Sequence, residues 1–93
     1  MNTSGHRQPE YYQSSVETID CILALGPQDA IGFCRGNILK YTMRYRGKGG
    51  LEDLKKASWY MDLLWAIESH LASGKPWKLI GSSRELMEQY GRP

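Results

Sequence analysis

Four side chains able to hold an anion share one helix face: Asn37, Lys40, Tyr41 and Arg44 fall at i, i+3, i+4 and i+7. Together they offer an amide, an ammonium, a phenol and a guanidinium. A guanidinium grips a phosphate through two parallel hydrogen bonds, and an ammonium adds a point charge. An aromatic ring alongside gives a base something to stack on. The competing interpretation is a solvated helix face. Asp53, Lys56 and Tyr60 repeat the pattern at i, i+3 and i+7 further along the chain. Packed antiparallel, the two rows face each other. Asp53 then has three open roles: pairing with Arg44 or Lys40, acting as a general base, or binding magnesium. An ordinary ion pair across the hairpin is the role its neighbours favour. Between the rows lies Arg46-Gly47-Lys48-Gly49-Gly50. Free N–H groups at the helix start that follows attract anions, although basic residues in a plain turn account for the segment equally well. It is not a P-loop, because GxxxxGK[ST] is absent.

The charge distribution points to the same region. Residues 33–60 hold seven of the twelve Lys and Arg residues, including Arg35 and Lys48, against the two acids Glu52 and Asp53. That block is +5 in a chain of net +2. A pI near 8.6 is too mild to imply nucleic acid. Other chemistry is thin. Glu17-x-x-Asp20 lacks the second carboxylate pair that a magnesium-dependent helical pyrophosphatase needs. His6 and His70 have no metal-ligand spacing, so no metal site is expected, and no Ser-His-Asp or Cys-His set can be assembled.

The elements that must position these groups are helical. The pattern predicts a single all-α domain over residues 1–93, a small bundle built on an antiparallel hairpin of the second and third helices. It predicts an extended arm over 1–13 and helices over 14–25, 28–46, 51–72 and 83–90. Ser14 or Ser15 can cap the first helix, Pro27 suits the first turn of the second, and Ser82 with Glu85 offers a capping box for the last. Wide apolar coverage of the second helix, including Leu39 and Met43, marks it as central. Leu54, Ala57, Ser58, Met61, Leu64, Trp65 and Glu68 trace a stripe near a heptad, expected to pack on the second helix. Gly32 and Gly36 mark close helix approach or ligand access. Three Trp and six Tyr are many for 93 residues, so some aromatic surface is expected between subunits of a homo-oligomer. Cys21 and Cys34 lie in apolar patterns and are expected to be unpaired. No run is long enough to span a membrane and no leader is evident, so the expected location is cytoplasmic.

The chain resembles the SaV-like family of small phage proteins, members of which are described as nucleotide kinases. The resemblance is carried by His6 with residues 9–12, by Val16-Glu17-Thr18-Ile19-Asp20, by the run 33–41 with its Gly-Asn-x-x-Lys-Tyr element, by Arg44 with Lys48-Gly49-Gly50, and by Glu52-Asp53-Leu54-Lys55-Lys56-Ala57 with Trp59-Tyr60. It stops before residue 72. It implies a nucleotide ligand, in the cytoplasm of an infected bacterial cell. The ligand-binding candidates are Arg35, Asn37, Lys40, Tyr41, Arg44, Lys48, Lys56 and Tyr60, with His6 and Tyr12 from the arm. The first expectation is a protein that holds a nucleotide, sequestering an immune signal, with no cofactor needed. The alternative is a nucleoside monophosphate kinase using ATP and magnesium, with Asp53 as its catalytic residue. A nucleic-acid-binding module is the weaker third choice.

Overall fold

The computed structural model describes residues 17–91, except for the side chain of Leu79. The arm, the Ser14 and Ser15 caps, His6 and Tyr12 lie outside these residues. Within them the chain forms α1 (Thr18–Leu25), α2 (Pro27–Arg44), α3 (Gly50–Ser73), a 3-10 turn (Trp77–Leu79) and α4 (Ser83–Tyr90). No described residue is in a β-strand. The all-α bundle and the α2–α3 hairpin are thus as the residue pattern predicts. No helix among the described residues is long and apolar enough to cross a membrane.

The boundaries differ from expectation for local reasons. Glu17 has extended backbone and stands at the N-cap, so α1 starts at Thr18 rather than at 14. Gly26 separates α1 from α2 with φ at 125°, a conformation that disfavours any side chain, and Pro27 opens α2. α2 stops at Arg44, not 46, because the chain turns at once: Gly47 and Lys48 both donate N–H to the Arg44 carbonyl. Gly50, at φ 59°, begins α3 one residue early. Gly74 ends it in the left-handed conformation after Ser73.

The core is Leu23, Ala30, Cys34, Leu63, Ala66, Ile67 and Leu86. Three of these are small, which lets α2 and α3 approach closely. Leu63 and Ile67 are fully buried and contribute about 1.5–3 kcal/mol each. α3 corrects the sequence expectation. Its inward face runs through Asp53, Ala57, Leu63, Ala66, Ile67 and His70. Most of the heptad stripe expected to pack inward is elsewhere: Ser58 and Glu68 are exposed, as are Met61 at 42 % and Trp65 at 47 %. Leu39 at 59 % and Met43 at 76 % are likewise outside the core. Cys34 is buried and Cys21 exposed, and both are free.

The C-terminal segment is tied to α1 by two polar contacts. The Trp77 indole N–H donates to the Leu23 carbonyl at 2.8 Å, a second hydrogen bond to an oxygen that also accepts the Gly26 N–H at 3.1 Å. The Asp20 carboxylate accepts the Ser83 N–H at 2.8 Å, while Ser82 Oγ accepts the Glu85 N–H at 3.1 Å. Asp20, weighed above as a magnesium carboxylate, therefore caps α4. His70 is buried with Nε2 3.1 Å from the Pro76 carbonyl and the rings of Trp77 and Tyr90 edge-on to it.

Asp20→Ala should lower stability by about 1–2 kcal/mol, the usual cost of losing a helix cap. Amides of α4 should exchange faster with solvent while those of the α2–α3 hairpin are unchanged.

Candidate functional site

Tyr41 is the centre of the cationic face. Lys40 Nζ, Arg44 Cζ and Lys56 Nζ lie 4.6, 4.9 and 5.5 Å from the centroid of its ring. Each is within cation–π range. Two of the cations come from α2 by helical spacing, and Lys56 comes from α3 across the hairpin. Tyr60 stacks beside Tyr41 with centroids 6.1 Å apart and planes 14° from parallel. Phe33 and Trp59 present edges to Tyr60 at 5.6 and 5.1 Å. An aromatic wall therefore continues from the cationic cluster, and Trp59, at its end, is 41 % exposed. Burial raises the Tyr60 hydroxyl pKa, with smaller contributions from Tyr41 and Cys34.

Arg44 and Asp53 close the same end of the hairpin. Arg44 Nε donates to Asp53 Oδ2 at 3.0 Å and Nη2 to Oδ1 at 3.2 Å. The Asp53 side chain is 2 % exposed and that of Arg44 33 %. This geometry uses both carboxylate oxygens, and the backbone of Gly49 packs against the carboxylate. The Arg44 hydrogen bond holds the Asp53 pKa below its ordinary value, its charge and that of Lys56 assist, and burial opposes. A Cβ placed on Gly49 would overlap the Asp53 carboxylate. Glycine is required there by close approach, since Gly49 has φ −97°.

The remaining candidates divide. Asn37 is half-buried and its amide donates to the Phe33 carbonyl of its own helix at 2.9 Å. Lys40 and Lys56 are exposed. Arg35 is exposed and points about 120° around α2 from Tyr41, six residues on at 3.6 per turn. Lys48 is exposed in the turn. Thus Asn37, Lys40, Tyr41, Arg44, Asp53, Lys56 and Tyr60 share one surface, while Arg35 does not. Phe33 and Trp59 were not anticipated. Their signal was spacing: Phe33 is one turn before Asn37, and Trp59 adjoins Tyr60. Among the described residues, no three His, Cys, Asp or Glu side chains are grouped to hold a metal. Burial pushes the Cys34 thiol up to about 11, so it stays protonated and unreactive at neutral pH.

Chemically, the cluster sets three cations against one buried carboxylate. Among the described residues only Arg44 of the three is in an ion pair. That leaves two exposed ammonium groups flanking an aromatic surface.

The pair makes stability sensitive to acid. With its folded pKa depressed below the ordinary carboxyl value of 3.8, Asp53 contributes its full stabilisation above that value. The contribution declines as pH falls below 3.8 and is gone beneath the folded pKa. Asp53→Asn should lower the Tm at neutral pH and flatten the fall in Tm on acidification. Separately, Gly49→Ala should cost about 1–3 kcal/mol, as overpacking does. Gly47→Ala, where the new methyl meets nothing, should leave the Tm nearly unchanged. Thermal melts of these variants check both.

A family model described as a protein of unknown function (DUF3310) matches residues 6–62. No curated protein and no solved structure matches the chain.

Proposed function

The matched segment is more than half of the chain, which therefore belongs to the DUF3310 family, and on the geometry of the Tyr41 face we propose that it holds a phosphate-bearing nucleotide. One observation carries this: Lys40, Arg44 and Lys56 converge on the Tyr41 ring from two helices, and Asp53 neutralises only Arg44. Lys40 and Lys56 would take the phosphate. The rings of Tyr60, Phe33 and Trp59 continue from that point, and a base would stack against the exposed Trp59. Stacking of a base on an aromatic side chain is worth about 1–3 kcal/mol.

Holding is favoured over phosphoryl transfer. A transferase needs a residue free to orient the acceptor and groups to hold metal-bound phosphates. Asp53, the carboxylate nearest the cationic cluster, has both oxygens on Arg44 and almost no exposed surface. A protein that binds a nucleotide without changing it needs only the cationic and aromatic surface. Its proposed role is sequestration of a nucleotide signal inside a bacterial cell, by a homo-oligomer of this chain.

The test is calorimetric titration of the full chain with nucleoside mono-, di- and triphosphates and cyclic dinucleotides. Lys40→Ala and Lys56→Ala should each weaken binding about tenfold, which is about 1.4 kcal/mol and near the low end for a charged hydrogen bond. Both should leave the Tm unchanged, since the side chains are exposed. Arg44→Ala is a poorer probe because it strands the buried Asp53. Ligand released by heating, after incubation with ATP and magnesium, should be chemically unchanged. Absence of binding across the set, or conversion to a diphosphate, refutes the proposal.

A further inference from the structure

α3 carries a second, mainly apolar row of residues that remains partly exposed outside the core. Leu54, Ser58, Met61 and Trp65 fall at i, i+4, i+7 and i+11, the alternating spacing of a coiled-coil seam. Leu54 is half-buried and Ser58 exposed, while Met61 and Trp65 remain 42 % and 47 % exposed. No charged residue occupies the seam. We propose that it packs against the same seam of a second copy of this chain, α3 against α3 in antiparallel orientation about a two-fold axis.

The choice of occupant rests on self-complementarity in size and charge. With the axis passing between positions 59 and 60, Leu54 meets the partner's Trp65 and Ser58 meets the partner's Met61. Small then faces large at the centre, and two bulky side chains close each end. A two-fold interface repeats every contact, so this register fills both halves alike. It also sets Lys55, on the flank of the seam, opposite the partner's Asp62, twice by symmetry. Lys55 is exposed and only loosely paired with Glu52 at 3.6 Å. Asp62 keeps an interaction within its own chain, so the charges guide register while the apolar seam supplies affinity. A shift of the pairing by one heptad toward the C-terminus would set Glu68 against the partner's Ser58 and put a charge in the seam. The seam also leaves the nucleotide face open: Met61 lies about 140° around α3 from Lys56, five residues on at 3.6 per turn. The dimer does not depend on the nucleotide reading.

Sedimentation equilibrium of the full chain over a concentration series should give twice the chain mass. Met61→Glu should give the chain mass itself, with helix content and Tm close to wild type. A second measurement does not depend on that variant folding. In a Cys21→Ser background, Ser58→Cys and Met61→Cys chains mixed and mildly oxidised should form a disulfide-linked dimer, and neither alone should do so efficiently. A monomer at every concentration, a dimer unaffected by Met61→Glu, or a mixture that fails to cross-link overturns the proposal. So does a monomer that dimerises only after deletion of residues 1–16, since the arm would then be the occupant of the seam.

Discussion

The α2–α3 hairpin depends on one buried ion pair. Asp53 has almost no exposed surface, and an unpaired carboxylate there would carry a large desolvation penalty. Arg44 offsets it with a two-point contact, and the backbone of Gly49 packs closely against the carboxylate. These partners come from the end of α2, the turn and the start of α3. Their geometry therefore fixes where α2 stops, which way the turn runs and how α3 is rotated. Rotation of α3 in turn decides which residues meet Tyr41. The pair sits beside the cationic cluster and sets its shape.

That arrangement divides labour between the two kinds of cation. Guanidinium has a planar fork that matches a carboxylate, and it can remain charged when half-buried. Arg44 is spent on structure in just this way. Lysine is a hydrated point charge on a flexible stem, suited to a ligand that comes and goes. Lys40 and Lys56 keep their exposure while the Tyr41 ring lies near both ammonium groups. Removing Arg44 therefore perturbs the scaffold, whereas removing either lysine perturbs only the surface.

Much of this was legible in the sequence, and the limits have physical causes. Helical spacing brought Asn37, Lys40, Tyr41 and Arg44 to one side of α2, and the same periodicity applied to Asp53, Lys56 and Tyr60 gave the facing row. The cross-hairpin ion pair followed from opposite charges on facing rows. The side that α3 buries did not follow, because α3 is apolar on two sides. A heptad through Ser58, Met61 and Trp65 has the more regular spacing, yet α2 packs on the face led by Asp53 and Ala57. A buried carboxylate at the head of the inward face misleads any scheme that ranks positions by hydrophobicity. The Gly49–Asp53 contact was also hidden: three glycines in the turn look alike, and only the fold shows that one of them lacks room for a methyl group. Asp20 resembled a ligand carboxylate because its partner, the N-terminus of α4, is 63 positions away.

The two ends of the bundle are held differently, and this bears on how the site works. The end with Tyr41 and Asp53 lies inside the family match, which stops at residue 62. The other end is built by residues beyond it: Leu63, Ala66, Ile67 and His70 on α3, with Trp77 and Leu86 laid across them. Its fastenings are the Trp77–Leu23 and Ser83–Asp20 hydrogen bonds to α1 and the His70–Pro76 and Tyr90–Ser73 contacts to α3, none of them to the cationic face. The C-terminal segment thus covers apolar surface of the second half of α3 and supplies no group to the cluster. Because α3 is one continuous helix, that cover holds it from the far end while Arg44 holds it from the near one. A helix fixed at both ends keeps Lys56 and Tyr60 in register with Tyr41 without any contact between a ligand and the core. The cluster can then stay open to solvent and still be pre-organised, which is what the proposed binding role requires.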